Sequence, residues 1–238
     1  MKQLEIGNIS VEVVQKNIKN IHLAVYPPRG RVRLAAPENV NEETLRLFTI
    51  SKIGWIRKQQ RKFAVQDRQT PRKFVSRESH YLFGKRYLLK VVEVSTTPKV
   101  VVKNKTTIEL QIKPGSSVQQ RQYLMNEWYR TELKKILPEL LDKWEKKMNV
   151  EAEAWGVKQM KTKWGTCNIE KKRIWLNLEL AKKPVHCIEY ILVHEMVHLL
   201  ERLHNDRFIA LMNKYLPNWK LYRTELNKLP VSHIDWEY

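Results

Sequence analysis

A chain of 238 residues, 42% of them hydrophobic and with only two cysteines, Cys167 and Cys187, can bury a full-sized core, which excludes a disordered tail and a disulfide-stapled miniprotein. No apolar run reaches the roughly 18 residues of a membrane span, and MKQLEIGNIS lacks the apolar centre of a secretory signal, so a soluble cytoplasmic protein with no membrane role is expected. Lys and Arg number 44 against 25 Asp and Glu, a formal charge of +19 that attracts polyanions. Basic pairs recur throughout, as at Arg57-Lys58, Arg72-Lys73 and Lys134-Lys135, so a nucleic-acid partner and a merely solvated basic surface both stay open.

From the N-terminus to Pro37 the pattern is β-like. Ile9, Val11 and Val13 alternate with polar residues, His22, Ala24 and Tyr26 alternate with Ile21, Leu23 and Val25, and PPRG at residues 27–30 signals a turn, which together predict a small antiparallel sheet. Asn41, with Thr44 three residues on, opens one helix through Leu45, Phe48, Ile53, Trp55 and Ile56. Residues 66–73, polar and containing Pro71, read as a loop or linker. Strand pairs follow over residues 81–94, turning at FGKRY, and over 100–112, ending at Pro114-Gly115. No catalytic cluster falls in this half, so residues 1–115 are expected to form a β-rich region with one helix that positions or recognises a partner.

Residues 117–148 predict a long helix with Val118, Tyr123, Leu124, Trp128, Leu133, Ile136 and Leu137 as its apolar stripe, kinked or divided at Pro138. Residues 152–163 and 173–180 look like strands joined by a loop. Pro184 then opens a helix whose Val185, Ile188, Ile191, Leu192 and Val193 mark it as buried.

That helix carries His194-Glu195-Met196-Val197-His198. Residues four apart differ by about 40° of rotation and about 6 Å of rise, so His194 and His198 share a face and can grip one ion. Glu195 lies about 100° round from His194, near enough to reach a water on the ion without ligating it. This is the spacing of the zinc-hydrolase signature. A catalytic zinc takes three protein ligands, and His204 is the leading candidate for the third, against a more distant ligand with His204 on the surface. On an unbroken helix His204 would lie about 120° and about 9 Å from His198, so the helix must end around residues 200–203 and the chain fold back. Asn205 and Asp206 suit that turn and cap a helix over residues 207–215.

Four stretches, KTKWGTC at 161–167, RIWLNLELAKKP at 173–184, HEMVHLLERLHNDRF at 194–208 and PNW at 217–219, make the chain resemble the YgjP-like metallopeptidases, relatives of the SprT and WLM zinc peptidases and more distantly of the gluzincins. The resemblance implies one Zn²⁺ per chain on His194, His198 and His204, with Glu195 as catalytic base. It implies an α+β protein, a β-rich N-terminal half followed over residues 116–238 by a zinc-peptidase core. There, helices pack on a small antiparallel or mixed sheet, with the HExxH motif on a buried helix. Two positions depart from the pattern: Leu203 stands where relatives often have a polar residue, and Lys163 where they commonly have Arg. The third-histidine spacing equals that of the metzincins, but Glu201 replaces the glycine that makes their turn.

In such enzymes an edge strand beside the metal helix pairs with extended substrate, and residues 174–178 are expected to be that strand. Trp175 and Asn177 would then face the cleft, with Trp164 and Gly165 open to either a packing or a substrate role. Tyr190, Tyr215 and Lys163 are candidates to stabilise the oxyanion, and Cys167 is a candidate competing ligand. Three functions are carried forward: a zinc peptidase acting on proteins or peptides, an SprT-like protease acting on DNA-bound proteins, and a non-catalytic basic nucleic-acid-binding module with a structural zinc.

Overall fold

The computed structural model describes residues 2–26, 30–64, 72–160 and 163–229, and the chain divides into two compact units, Met1–Arg68 and Gln69–Ser232. In the first, β1 (Lys2–Ile6), β2 (Ile9–Lys16), β3 (His22–Tyr26) and β4 (Arg31–Pro37) form a sheet in the order β1-β2-β4-β3. β4 pairs parallel to β2 and antiparallel to β3, so the sheet is mixed rather than antiparallel. The β3–β4 hairpin turns back so that its second strand, not its first, meets β2. Alternate residues Leu4, Ile6, Ile9, Val11, Val13, Val32, Leu34 and Ala36 are buried in one cluster with Leu45 and Ile56 of the helices. The turn expected at residues 27–30 and the linker at 66–73 fall largely outside the described residues; of the former, Gly30 has φ +72° and its carbonyl accepts from Gln60 Nε2 at 2.9 Å.

The single helix expected after Asn41 is two, α1 (Glu42–Ser51) and α2 (Ile53–Ala64). Asn41 caps the first, its side chain accepting from the Thr44 N–H at 2.8 Å. The break at Lys52 follows two hydroxyls that turn back on the helix, Thr49 Oγ1 to the Leu45 carbonyl and Ser51 Oγ to the Phe48 carbonyl, each at 2.7 Å. Such bonds compete with the helical ladder.

The second unit opens with β5 (Ser79–Leu82), β6 (Lys85–Glu93), β7 (Lys99–Val102) and β8 (Thr107–Ile112), ordered β5-β6-β8-β7. The strand order and senses of the first sheet are thus repeated. Leu89, Ile108, Leu110 and Ile112 of this sheet share one core with Met125, Tyr129, Leu133 and Leu137 of α3 (Val118–Met148) and with Ile188 and Leu192 further on. A division at residue 115 therefore cuts through this unit. α3 runs 31 residues without interruption at Pro138. Pro138 and Lys134 are both exposed, so the carbonyl that proline cannot satisfy is left to water. Ser117 and Gln120 form a capping box at its start. Val118 and Tyr123, expected in the apolar stripe, are exposed instead.

His80 on β5 is buried under α3, with Nε2 3.3 Å from Glu78 Oε2 and Nδ1 3.4 Å from the Tyr129 hydroxyl. Burial, with the charge of Arg72, pushes its pKa down to about 4. The unfolded ring titrates near 6.5, so between the two values the unfolded state binds more protons and stability rises with pH. We expect about 3 kcal/mol of stability present above pH 6.5 to be lost as pH falls to about 4. Urea denaturation of wild type and His80→Gln at both pH values checks this, since the variant should lose this part of the acid sensitivity.

The third sheet holds β9 (Ala154–Lys158), β10 (Gly165–Asn168) and β11 (Arg173–Asn177) in the order β10-β11-β9, antiparallel between β10 and β11 and parallel between β11 and β9. Its inner residues Val157, Ile174 and Leu176 belong to the same core as α3 and α4 (Val185–Val197). α5 (Asp206–Tyr215) and α6 (Trp219–Lys228) complete the unit. The architecture is α+β, with helices packed on small mixed sheets. No helix among the described residues is long and apolar enough to cross a membrane.

Candidate active site

α4 is largely buried from Cys187 onward, with Leu192, Val193, Met196 and Val197 wholly inaccessible, whereas Val185 on its first turn, expected to be buried, is exposed. Regular helix stops at His198, sooner than expected, and the next N–H groups close tighter turns onto the Met196 and Val197 carbonyls. The Glu201 carboxylate then accepts from the Leu203 N–H at 3.1 Å and fixes the turn after the helix. Asn205 caps α5 by accepting from the Phe208 N–H at 3.0 Å. The chain thereby folds back and brings His204 over the helix end.

The result is convergence: ligand-type nitrogens of His194, His198 and His204 all lie within 4.8 Å of one another. The His204 and His194 Nε2 atoms are 3.1 Å apart. His198 Nδ1 donates to the Glu201 carbonyl at 3.1 Å, which leaves Nε2 of that ring as the lone-pair nitrogen. Phe208 packs against all three rings, with centroids 5.0, 4.8 and 4.6 Å from those of His194, His198 and His204. Sequence reasoning passed over Phe208; its position four residues after His204, on the first turn of a helix expected to return to the site, was the available signal.

Burial, helped by the two neighbouring imidazoles and Arg223, pushes His194 down to about 3, and burial lowers His198 as well. His194 is thus neutral near pH 7, the form a ligand needs. Its Nδ1 is buried without a hydrogen-bond partner among the described residues. Three imidazoles, one with its tautomer set by a backbone carbonyl, form a donor set that fits a divalent ion of the zinc type. The Cys167 thiol is not part of this converging group.

Glu195 is 6% exposed and lies against the α-carbon of Gly165 on β10, where an added Cβ would stand 2.7 Å from both its Cγ and Oε1. Burial pushes its carboxyl up to about 7, against the opposing charge of Lys163. Cys167, two residues along β10, is pushed up to about 11 by burial and by Glu195.

The substrate-facing expectations need correction. β11, expected over residues 174–178 to be the edge strand, is the central strand of its sheet and has neighbours on both sides. The edge strand packed on α4 is β10, which pairs only with β11 among the described residues. Asn177 does not face a cleft. It is buried, its amide donates to the carbonyls of Lys163 at 2.7 Å and Met160 at 2.9 Å, and its oxygen accepts from the Glu179 N–H at 3.1 Å. That last bond caps a 3₁₀ turn, Leu178–Lys182, which cuts the expected strand short. Asn177 therefore holds the chain that leads into β10.

Trp175 stands opposite Thr166 of β10, half-buried across Gly156, with Lys158 Nζ 5.0 Å and Arg173 Cζ 5.8 Å from its ring. Trp164 is half-buried with Lys183 Nζ 5.6 Å from its ring. Of the oxyanion candidates, Tyr190 is buried with its ring 6.1 Å from that of His194, and Lys163 is exposed with its charge felt at Glu195. Arg223 on α6, whose charge acts on both His194 and Tyr190, was not anticipated.

A helix that stops at its second histidine and a turn that returns a third set three converging imidazoles beside a buried carboxyl. Residues 19–229 match the family model described as YgjP-like, metallopeptidase domain, and the chain belongs to that family of metallopeptidases. A crystal structure of the metallopeptidase zymogen of abylysin from Pyrococcus abyssi is similar over 40% of this chain and 98% of its own, at 19% identity and a TM-score of 0.35. No curated protein matches the sequence.

Proposed function

We propose that this metallopeptidase hydrolyses peptide bonds with one zinc ion per chain held by His194, His198 and His204, and with Glu195 as general base. When bound, zinc supplies a Lewis acid that lowers the pKa of water towards about 7 and polarises a carbonyl. The Glu195 carboxylate takes the proton of the attacking water and returns it to the leaving amine. A carboxyl poised near neutrality suits both transfers. The edge of β10 that pairs with no strand among the described residues holds the peptide extended through main-chain hydrogen bonds, which read no particular side chain. Trp164, immediately before β10, is the candidate substrate contact at that edge, whereas the Trp175 ring lies over Gly156 of β9, on the other side of β11. The side chains assigned to chemistry all lie within the unit Gln69–Ser232, and the β-rich unit Met1–Arg68 is assigned a positioning or recognition role.

The observation that carries this reading is the approach of three imidazoles beside a buried glutamate. Digestion of an unfolded protein, followed by mass spectrometry, tests it. Cleavage is expected to stop on chelation and to return with zinc; cleavage indifferent to chelator, or none from zinc-loaded protein, overturns it. The charge of +19 favours a second reading, in which the substrate is a protein held on DNA. Under it, DNA raises the cleavage rate and the increase fades as salt rises.

A further inference from the structure

A second set of metal-binding side chains converges at the first turn of α4, on the helix that carries the triad but outside it. His186 and Cys187 are consecutive on α4 and Glu225 comes from α6, and their candidate ligand atoms all lie within 4.8 Å of one another. His186 Nε2 is 2.7 Å from Glu225 Oε2. The Cys187 side chain is fully buried, and its thiol donates a long hydrogen bond of 3.9 Å to the Tyr222 carbonyl, one turn before Glu225. The Tyr222 ring lies 5.0 Å from that of His186. One short stretch of α6 thus faces both α4 residues.

Sulfur, imidazole nitrogen and carboxylate oxygen together are the donors of a borderline-soft divalent ion, not of calcium or magnesium. A thiolate and a carboxylate would balance two positive charges with the imidazole neutral, so the bound group would carry no net charge into a half-buried place. The side chains of His186 and Glu225 are each 40% exposed, which gives an ion a way in and solvent a coordination position. Eight residues of helix separate His186 from His194, about 12 Å along the axis, too far for the paired ions of a two-metal centre.

We infer that His186, Cys187 and Glu225 form a second site for a zinc-like divalent cation, which ties the first turn of α4 to α6. On binding, the Cys187 thiol releases its proton to solvent and its sulfur becomes a ligand. The ion braces the helix that presents Glu195 without taking part in hydrolysis. Without the ion, His186 and Glu225 make a helix-to-helix hydrogen bond beside a buried thiol.

Cobalt titration of the metal-stripped protein decides between these, because a thiolate ligand to Co²⁺ gives a near-ultraviolet charge-transfer band and imidazole or carboxylate ligands do not. Wild type is expected to bind two equivalents of Co²⁺ and to show that band. Cys187→Ser, close to isosteric, should lose the band and one equivalent while far-ultraviolet circular dichroism stays unchanged, and Cys167→Ser should keep both. Glu225→Gln should weaken the band-forming event at least tenfold. A His194→Ala/His198→Ala double variant should retain one equivalent and the band, so the result does not depend on the peptidase reading. Absence of the band in wild type, or a band that survives Cys187→Ser and disappears in Cys167→Ser, overturns the assignment.

Discussion

Glu195→Gln is expected to lower the rate of peptide hydrolysis by about 10²–10⁴-fold, the range for loss of a positioned acid or base, with bound metal unchanged. The amide has almost the shape of the carboxylate, so it still fits between α4 and Gly165, where Glu195 is buried. Glu195 is not among the residues whose ligand atoms converge at the triad, so metal binding does not depend on its charge. What changes is that an amide cannot accept the proton of the attacking water. Single-turnover digestion of one peptide, with metal content measured on the same sample, reads both halves of the prediction. His194→Ala, by contrast, should lose the triad's ion and activity together. A Glu195→Gln protein that cleaves within a few-fold of wild type would remove Glu195 from its assigned role.

The second large effect is expected from a residue that does no chemistry. Gly165→Ala places a methyl group 2.7 Å from Glu195 Cγ and Oε1 and 3.0 Å from Cδ. Ordinary van der Waals contact needs roughly 3.5–4 Å. Glu195 sits on a buried helix turn with little room to retreat, so its carboxylate must shift by about 1 Å. A displacement of that size at a reacting centre costs on the order of 10²-fold. Metal content should be unaffected, because β10 supplies no ligand to the histidine group. Adding Gly165→Ala to Glu195→Gln should cost little more than Glu195→Gln alone, since both act through one carboxylate. Fully additive losses in that pair would mean that the methyl group acts elsewhere.

The site was legible where it depends on local geometry. Helical spacing alone set His194, Glu195 and His198 on one turn, and the impossibility of reaching His204 along an unbroken helix demanded the turn that Glu201 and Asn205 make. Asn41 as a cap was equally local. What could not be read was adjacency between distant strands. Alternation over residues 173–177 marks which side chains face the core but says nothing about which strand lies beside which, so it does not distinguish a central β11 from an edge strand. Asn177 meets the same limit: its polarity suggested a cleft, whereas a buried amide was needed to hold the chain leading to β10. Nor could composition tell that β5–β8 would share the core of α3 and α4, because both sheets of this kind have the same strand pattern and only packing assigns each to its unit.

The most direct test is metal stoichiometry at the triad, measured as zinc per chain by elemental analysis in wild type and His204→Ala purified side by side. The histidine centre predicts that the variant holds one zinc fewer per chain than wild type and has no peptidase activity. Equal zinc in the two proteins would show that His204 is not a ligand and would contradict the centre on which this account rests.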